Sequence, residues 1–144
     1  MSDISSKLRD EVVLRAESRC EYCQLSQVGQ EATFHIDHIT PRAAGGKTTS
    51  DNLALACVSC SLRKGAKETV TDPDSGETVL LFNPRKEVWS EHFRWEGERV
   101  FSLTSVGRGT EAALEMNRPL IVAIRQEESV RGRHPPEMNT WESK

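Results

Sequence analysis

The chain has 144 residues, of which 36% are hydrophobic and 28% charged, and this predicts a single small globular protein with a thin core. A net charge of −3 excludes a surface coated throughout in positive charge for nucleic acid, but leaves room for a local basic patch. No basic stretch followed by an apolar run opens the chain, and the longest apolar patch, "PLIVAI", is far shorter than the roughly 20 residues a membrane span needs. A cytoplasmic setting with no membrane partner is expected, where thiols stay reduced.

In chain order, "SSKLRDEVVLRAESR" predicts a helix over 5–19, with Leu8, Val12 and Ala16 on one face and Ser5 or Ser6 as its cap. "ATFHIDHI" has strand character, ended by Pro41, and "RAAGGKTTSDN" is a loop. "LALACVSCSLRKGAKE" predicts a short strand or turn that becomes helical beyond Ser59. "VTDPDSGETVLLFNP" reads as a turn and a strand, and "EVWSEHFRWEGERVFSLTSVG" as two strands around "EGE". "TEAALEMN" and "RPLIVAIRQEESVRG" read as helices, with Pro119 suited to a first helical turn. The polar, proline-broken end from 132 to 144 predicts a disordered tail.

Four cysteines form two C-x-x-C pairs, Cys20/Cys23 and Cys57/Cys60. In a reducing compartment two such pairs favour metal over disulfides. Each pair puts two thiolates on one turn, and four sulfurs complete a closed tetrahedral Zn²⁺ site of the structural kind. A redox C-x-x-C usually stands alone, so a redox role is the weaker reading. The pairs are 33 residues apart, longer than in a compact zinc ribbon, so something is inserted between them.

The insert carries adjacent Asp37 and His38. A carboxylate suits a hard cation such as Mg²⁺ or Mn²⁺, and a histidine titrating near neutrality suits a general base for water. Strict strand alternation would instead place His38 with Phe34 and Ile36 as a core histidine, and His35 with Asp37 on the other face. From Ala32 to Lys67 five basic residues (Arg42, Lys47, Arg63, Lys64 and Lys67) stand against two acidic ones, a local excess of +3 in an acidic chain.

The ordered elements C-x-x-C, D-H-I, G-G, D-N-L, C-x-x-C and K-G in "CEYC … FHIDHITPRAAGGKTTSDNLALACVSCSLRKG" resemble the HNH endonucleases whose ββα-metal hairpin is stapled by a four-cysteine zinc. The resemblance covers about residues 12 to 67. It implies an α+β fold: a zinc-stapled ββα core with an N-terminal helix over 1–70 and a strand-and-helix extension over 71–131 packing on it. It implies a divalent-metal-dependent endonuclease acting on DNA, with RNA possible, and leaving 5′-phosphate and 3′-hydroxyl ends. By the same resemblance Asp37 is a ligand to a catalytic Mg²⁺ or Mn²⁺, His38 is the general base, and Asn52 holds the loop and the histidine ring. Arg42, Lys47, Arg63, Lys64 and Lys67 would face a phosphate backbone. The family's last motif residue, a histidine or asparagine ligand, is Ser61 here. Either Ser61 reaches the cation, or His35 supplies the missing ligand, or the module binds nucleic acid without cutting it. A softer likeness, "LFNPR … W..HF.W", to the region downstream of the motif in compact bacterial HNH proteins brings no function with it.

Overall fold

A computed structural model describes residues 4–137. The chain divides into two compact units, Met1–Glu68 and Thr69–Lys144.

The first unit opens with helix α1, Ser6–Arg15. Ser5 caps it, its Oγ accepting from the Leu8 amide at 3.1 Å. Val12 and Ala16 are fully buried, as the apolar spacing predicts. The helix ends before the expected residue 19 because Glu17 and Ser18 turn into the left-handed region, with φ of 54° and 59°. Arg15, in its last turn, bonds the Ser50 carbonyl and hydroxyl and the Leu53 carbonyl at 2.8–3.1 Å, fastening α1 to the next element.

Strands β1, His35–His38, and β2, Leu53–Ala56, form an antiparallel hairpin, with His35 opposite Ala56 and Asp37 opposite Ala54. β2 is buried throughout, and its residues, alternating Leu and Ala, are all apolar. Helix α2, Val58–Lys64, follows at once, and Cys57 is its cap, its Sγ accepting from the Cys60 amide at 3.4 Å. The order strand, strand, helix is the expected ββα core, and α2 starts two residues earlier than anticipated, with the Cys57 thiol as its cap.

The second unit holds hairpin β3–β4 (Thr69–Thr71 and Thr78–Leu80), hairpin β5–β6 (Phe93–Glu96 and Arg99–Ser102), and helices α3 (Trp89–His92), α4 (Ser105–Leu114) and α5 (Pro119–Val130). The "DPDSG" turn is held by Asp72, which accepts from the Asp74 amide and the Ser75 hydroxyl. Two sequence expectations fail here. "WSEH" is one helical turn rather than strand, and α4 begins at Ser105 where "SVG" read as extended chain. A Cβ on Gly107 would lie 2.4 Å from the His92 carbonyl oxygen, and one on Gly109 2.7 Å from Val70 Cγ2. They let a helix pack closely rather than break it. The core is aromatic: Phe82, Trp89 and Phe93 are buried, with ring centroids 5.6 Å apart for Phe82–Phe93 and 4.9 Å for Trp89–Phe93.

The expected tail begins with held residues. Arg133 pairs with Glu128 at 2.7 Å, and the His134 ring lies edge-on to Trp95 with centroids 4.6 Å apart. Residues 138–144 of that tail lie outside the described residues. The architecture is mixed α+β with small antiparallel sheets. Among the described residues no helix is long and apolar enough to cross a membrane.

Candidate active site and metal centre

The two knuckles meet. Cys20, Cys23, Cys57 and Cys60 are all buried, with their sulfurs within 4.8 Å of one another. Tetrahedral coordination at about 2.3 Å sets sulfurs about 3.8 Å apart, and Cys23 and Cys57 stand at 3.7 Å. Amides of Cys23 and Cys60 point at the sulfurs of Cys20 and Cys57, each at 3.4 Å, the donors that thiolates accept. Burial, reinforced by the neighbouring cysteines, pushes the Cys20 thiol well up; hydrogen bonding among the four, then burial, does the same to Cys60. A bound dication would reverse that preference at Cys20 and Cys60. The donor set fits a structural Zn²⁺. The site also anchors β2: Glu21, inside the first knuckle, exchanges backbone and side-chain bonds with Leu55 at 2.8 and 2.9 Å.

Asp37 and His38 end β1 beside this staple. Asp37 is buried, and Oδ2 accepts from the Tyr22 hydroxyl at 2.9 Å and lies 3.2 Å from Nζ of Lys64. Burial pushes its carboxyl above the ordinary carboxylate range, against the opposing pull of Lys64 and Tyr22. Both contacts fall on Oδ2, so that Oδ1 is the oxygen left for another partner. His38 is half-buried rather than in the core; its Nε2 lies 2.9 Å from the Thr48 hydroxyl and receives a 3.3 Å bond from Arg42 Nε. Its carbonyl accepts from Lys64 at 3.0 Å, which fixes the corner of chain that carries the ring.

Asn52 closes the hairpin loop. Its side chain accepts from the Thr40 amide at 2.9 Å and donates to the carbonyls of Thr40 and Lys47 at 3.1 and 2.9 Å. Gly46 lies beneath it: a Cβ there would sit 1.8 Å from the Thr40 carbonyl oxygen. The loop therefore delivers Thr48 and Arg42 to His38 by backbone geometry.

A groove of about 590 Å³ opens over β1, lined among others by Arg9, His35, Asp37, His38, Arg42 and Ser61. Of the expected site residues, His35, Asp37, His38, Arg42 and Ser61 line this opening, and Asn52 is not among its lining residues. His35 is exposed, with Nδ1 2.8 Å from the Ser61 hydroxyl.

The basic residues divide. Arg42 is exposed at the groove, while Lys47 and Lys67 are exposed, with Lys67 donating to the Arg63 carbonyl at 3.1 Å. Arg63 is half-buried and bonds the Ser59 hydroxyl at 3.1 Å. Lys64 departs from its expected place on a phosphate-facing surface. It is fully buried, and its ammonium serves Asp37 and the carbonyls of His38 and Ile39. The spacing carried that signal: Lys64 follows Cys60 by four on α2, so both point inward. Tyr22, Thr48 and Arg9 were also missed. Tyr22 sits inside a C-x-x-C, where the zinc ligands drew attention away from the residue between them.

Adjacent carboxylate and imidazole, a loop-clamping asparagine and a four-sulfur cluster that fits a structural Zn²⁺ thus sit on one ββα hairpin. Residues 20–67, a third of the chain, match the family model described as HNH endonuclease. No curated protein and no solved structure matches the chain.

Proposed function

We propose that the protein is a divalent-cation-dependent endonuclease that hydrolyses DNA phosphodiester bonds. One observation carries the reading: Asp37 and His38, adjacent on β1, open into a single groove with Arg42 beside them. His38 takes a proton from the attacking water, with its ring held by Thr48. Arg42 meets the scissile phosphate, and Asn52 keeps the loop that presents both residues. Asp37 would hold Mg²⁺ or Mn²⁺, since Oδ1 receives none of its hydrogen bonds, and His35 and Ser61 line the same groove. When bound, such a cation supplies positive charge against the phosphorane and the departing oxygen.

The test is supercoiled plasmid with Mg²⁺ or Mn²⁺, wild type beside His38→Ala and Asp37→Ala. Nicking by wild type alone is expected. Intact plasmid across metals sinks the reading. Ser61 at the last motif position favours a second one, a module that holds nucleic acid without cutting it; retained DNA binding with no cleavage under any cation would establish it.

A further inference from the structure

Ser61 stands where the HNH pattern carries its last ligand, yet its Oγ lies 2.8 Å from Nδ1 of His35. A neutral imidazole has one donor and one acceptor nitrogen. With the serine oxygen as acceptor, the proton sits on Nδ1 and the lone pair on Nε2. This is how a metal-bound histidine is ordinarily set, its second nitrogen tied to a neighbour that fixes the tautomer. His35 is exposed on the groove and precedes Asp37 by two residues on β1, so both side chains leave the strand on one face.

A second observation concerns charge. The buried ammonium of Lys64, 3.2 Å from Asp37, offsets the one carboxylate that lines the groove among the described residues. Mg²⁺ depends on carboxylate charge and water, and dehydrates reluctantly. A neutral nitrogen ligand adds binding without adding charge, and it does so for ions that accept nitrogen, in rising order from Mn²⁺ to Ni²⁺.

We propose that Nε2 of His35 is the second protein ligand to the divalent cation, that Ser61 is the residue positioning it, and that the groove consequently prefers nitrogen-accepting divalent ions over Mg²⁺. This rests on the reading that Asp37 holds a cation.

The experiment is an electron paramagnetic resonance titration of Mn²⁺ into the zinc-loaded full chain without nucleic acid, with Mg²⁺ and Ni²⁺ as competitors. Ni²⁺ is expected to displace Mn²⁺ readily and Mg²⁺ only at about tenfold or greater excess. His35→Ala should weaken Mn²⁺ by about tenfold or more and narrow its advantage over Mg²⁺, and Ser61→Ala should weaken it by about tenfold. On the His35→Ala background Ser61→Ala should add nothing, because the serine acts through the ring. Additive losses, or a His35→Ala variant that binds Mn²⁺ as wild type does, overturn the proposal. The two readings separate cleanly. Mn²⁺ binding with this pattern but no plasmid cleavage sinks the nuclease and leaves the site. Cleavage and binding that need Asp37 but ignore His35 sink the site and leave the nuclease.

Discussion

Nζ of Lys64 lies 3.2 Å from Oδ2 of Asp37, with both side chains buried, and the same ammonium bonds the carbonyls of His38 and Ile39. One residue of α2 thus answers the charge of the candidate ligand and pins the backbone of the candidate base. Lys64→Met strands a buried carboxylate and frees two carbonyls, and should cost about 3–5 kcal/mol in urea unfolding. Asp37→Asn in the same chain should recover part of that loss, since the stranded charge is gone. A Lys64→Met variant as stable as wild type would show that the pair contributes nothing.

Asn52 makes three bonds that hold the hairpin loop. Asn52→Ala is expected to cost about 2–3 kcal/mol, on the scale of buried amide partners left unmade. Plasmid nicking should fall further than stability does, because the loop carries Thr48 and Arg42 to His38. Nicking that merely tracks the folded fraction would confine Asn52 to scaffolding.

Zinc is expected to be a condition of folding for the first unit. Metal analysis should find about one zinc per chain, and a strong chelator should abolish the structure of the hairpin. Cys60→Ala should do the same without chelator, as the sulfur is fully buried and shared by the cluster. A chelated protein with an unchanged circular dichroism spectrum would refute this.

Acid should weaken the second unit through Asp72. Arg108 Nε and Nη2 grip both its oxygens at 2.9 and 2.8 Å and hold the carboxyl well below the ordinary carboxylate range. The folded form therefore resists protonation more than the unfolded chain. The stabilisation is whole above the unfolded value of about 3.9 and drains as pH falls below it. Thermal melts between pH 2 and 6, followed by tryptophan fluorescence, should show a falling acid limb that Asp72→Asn flattens. Parallel limbs in the two proteins would place the acid sensitivity elsewhere.

The residues that answer to local rules were legible. Ser5, the cysteine spacing, the "DPDSG" turn and Pro119 each act within a few residues of chain, and each stands as its chemistry requires. Glycines 107 and 109 were illegible for the opposite reason. Nothing local marks them as helical, and only the approach of His92 and Val70 makes their missing side chains a packing feature.

At the candidate site the same division holds. The sequence by itself determined the four-cysteine cluster, the Asp37–His38 pair and the α+β hairpin, because residue spacing and residue type are one-dimensional facts. Only the tertiary structure decided what each polar group faces. It turned Lys64 from the surface onto Asp37, set Tyr22 on the same oxygen, and brought Ser61 from α2 to His35 on β1. Those contacts join residues 15 to 27 positions apart, and burial makes them count: a buried charge must be paired, whatever the local sequence around it suggests.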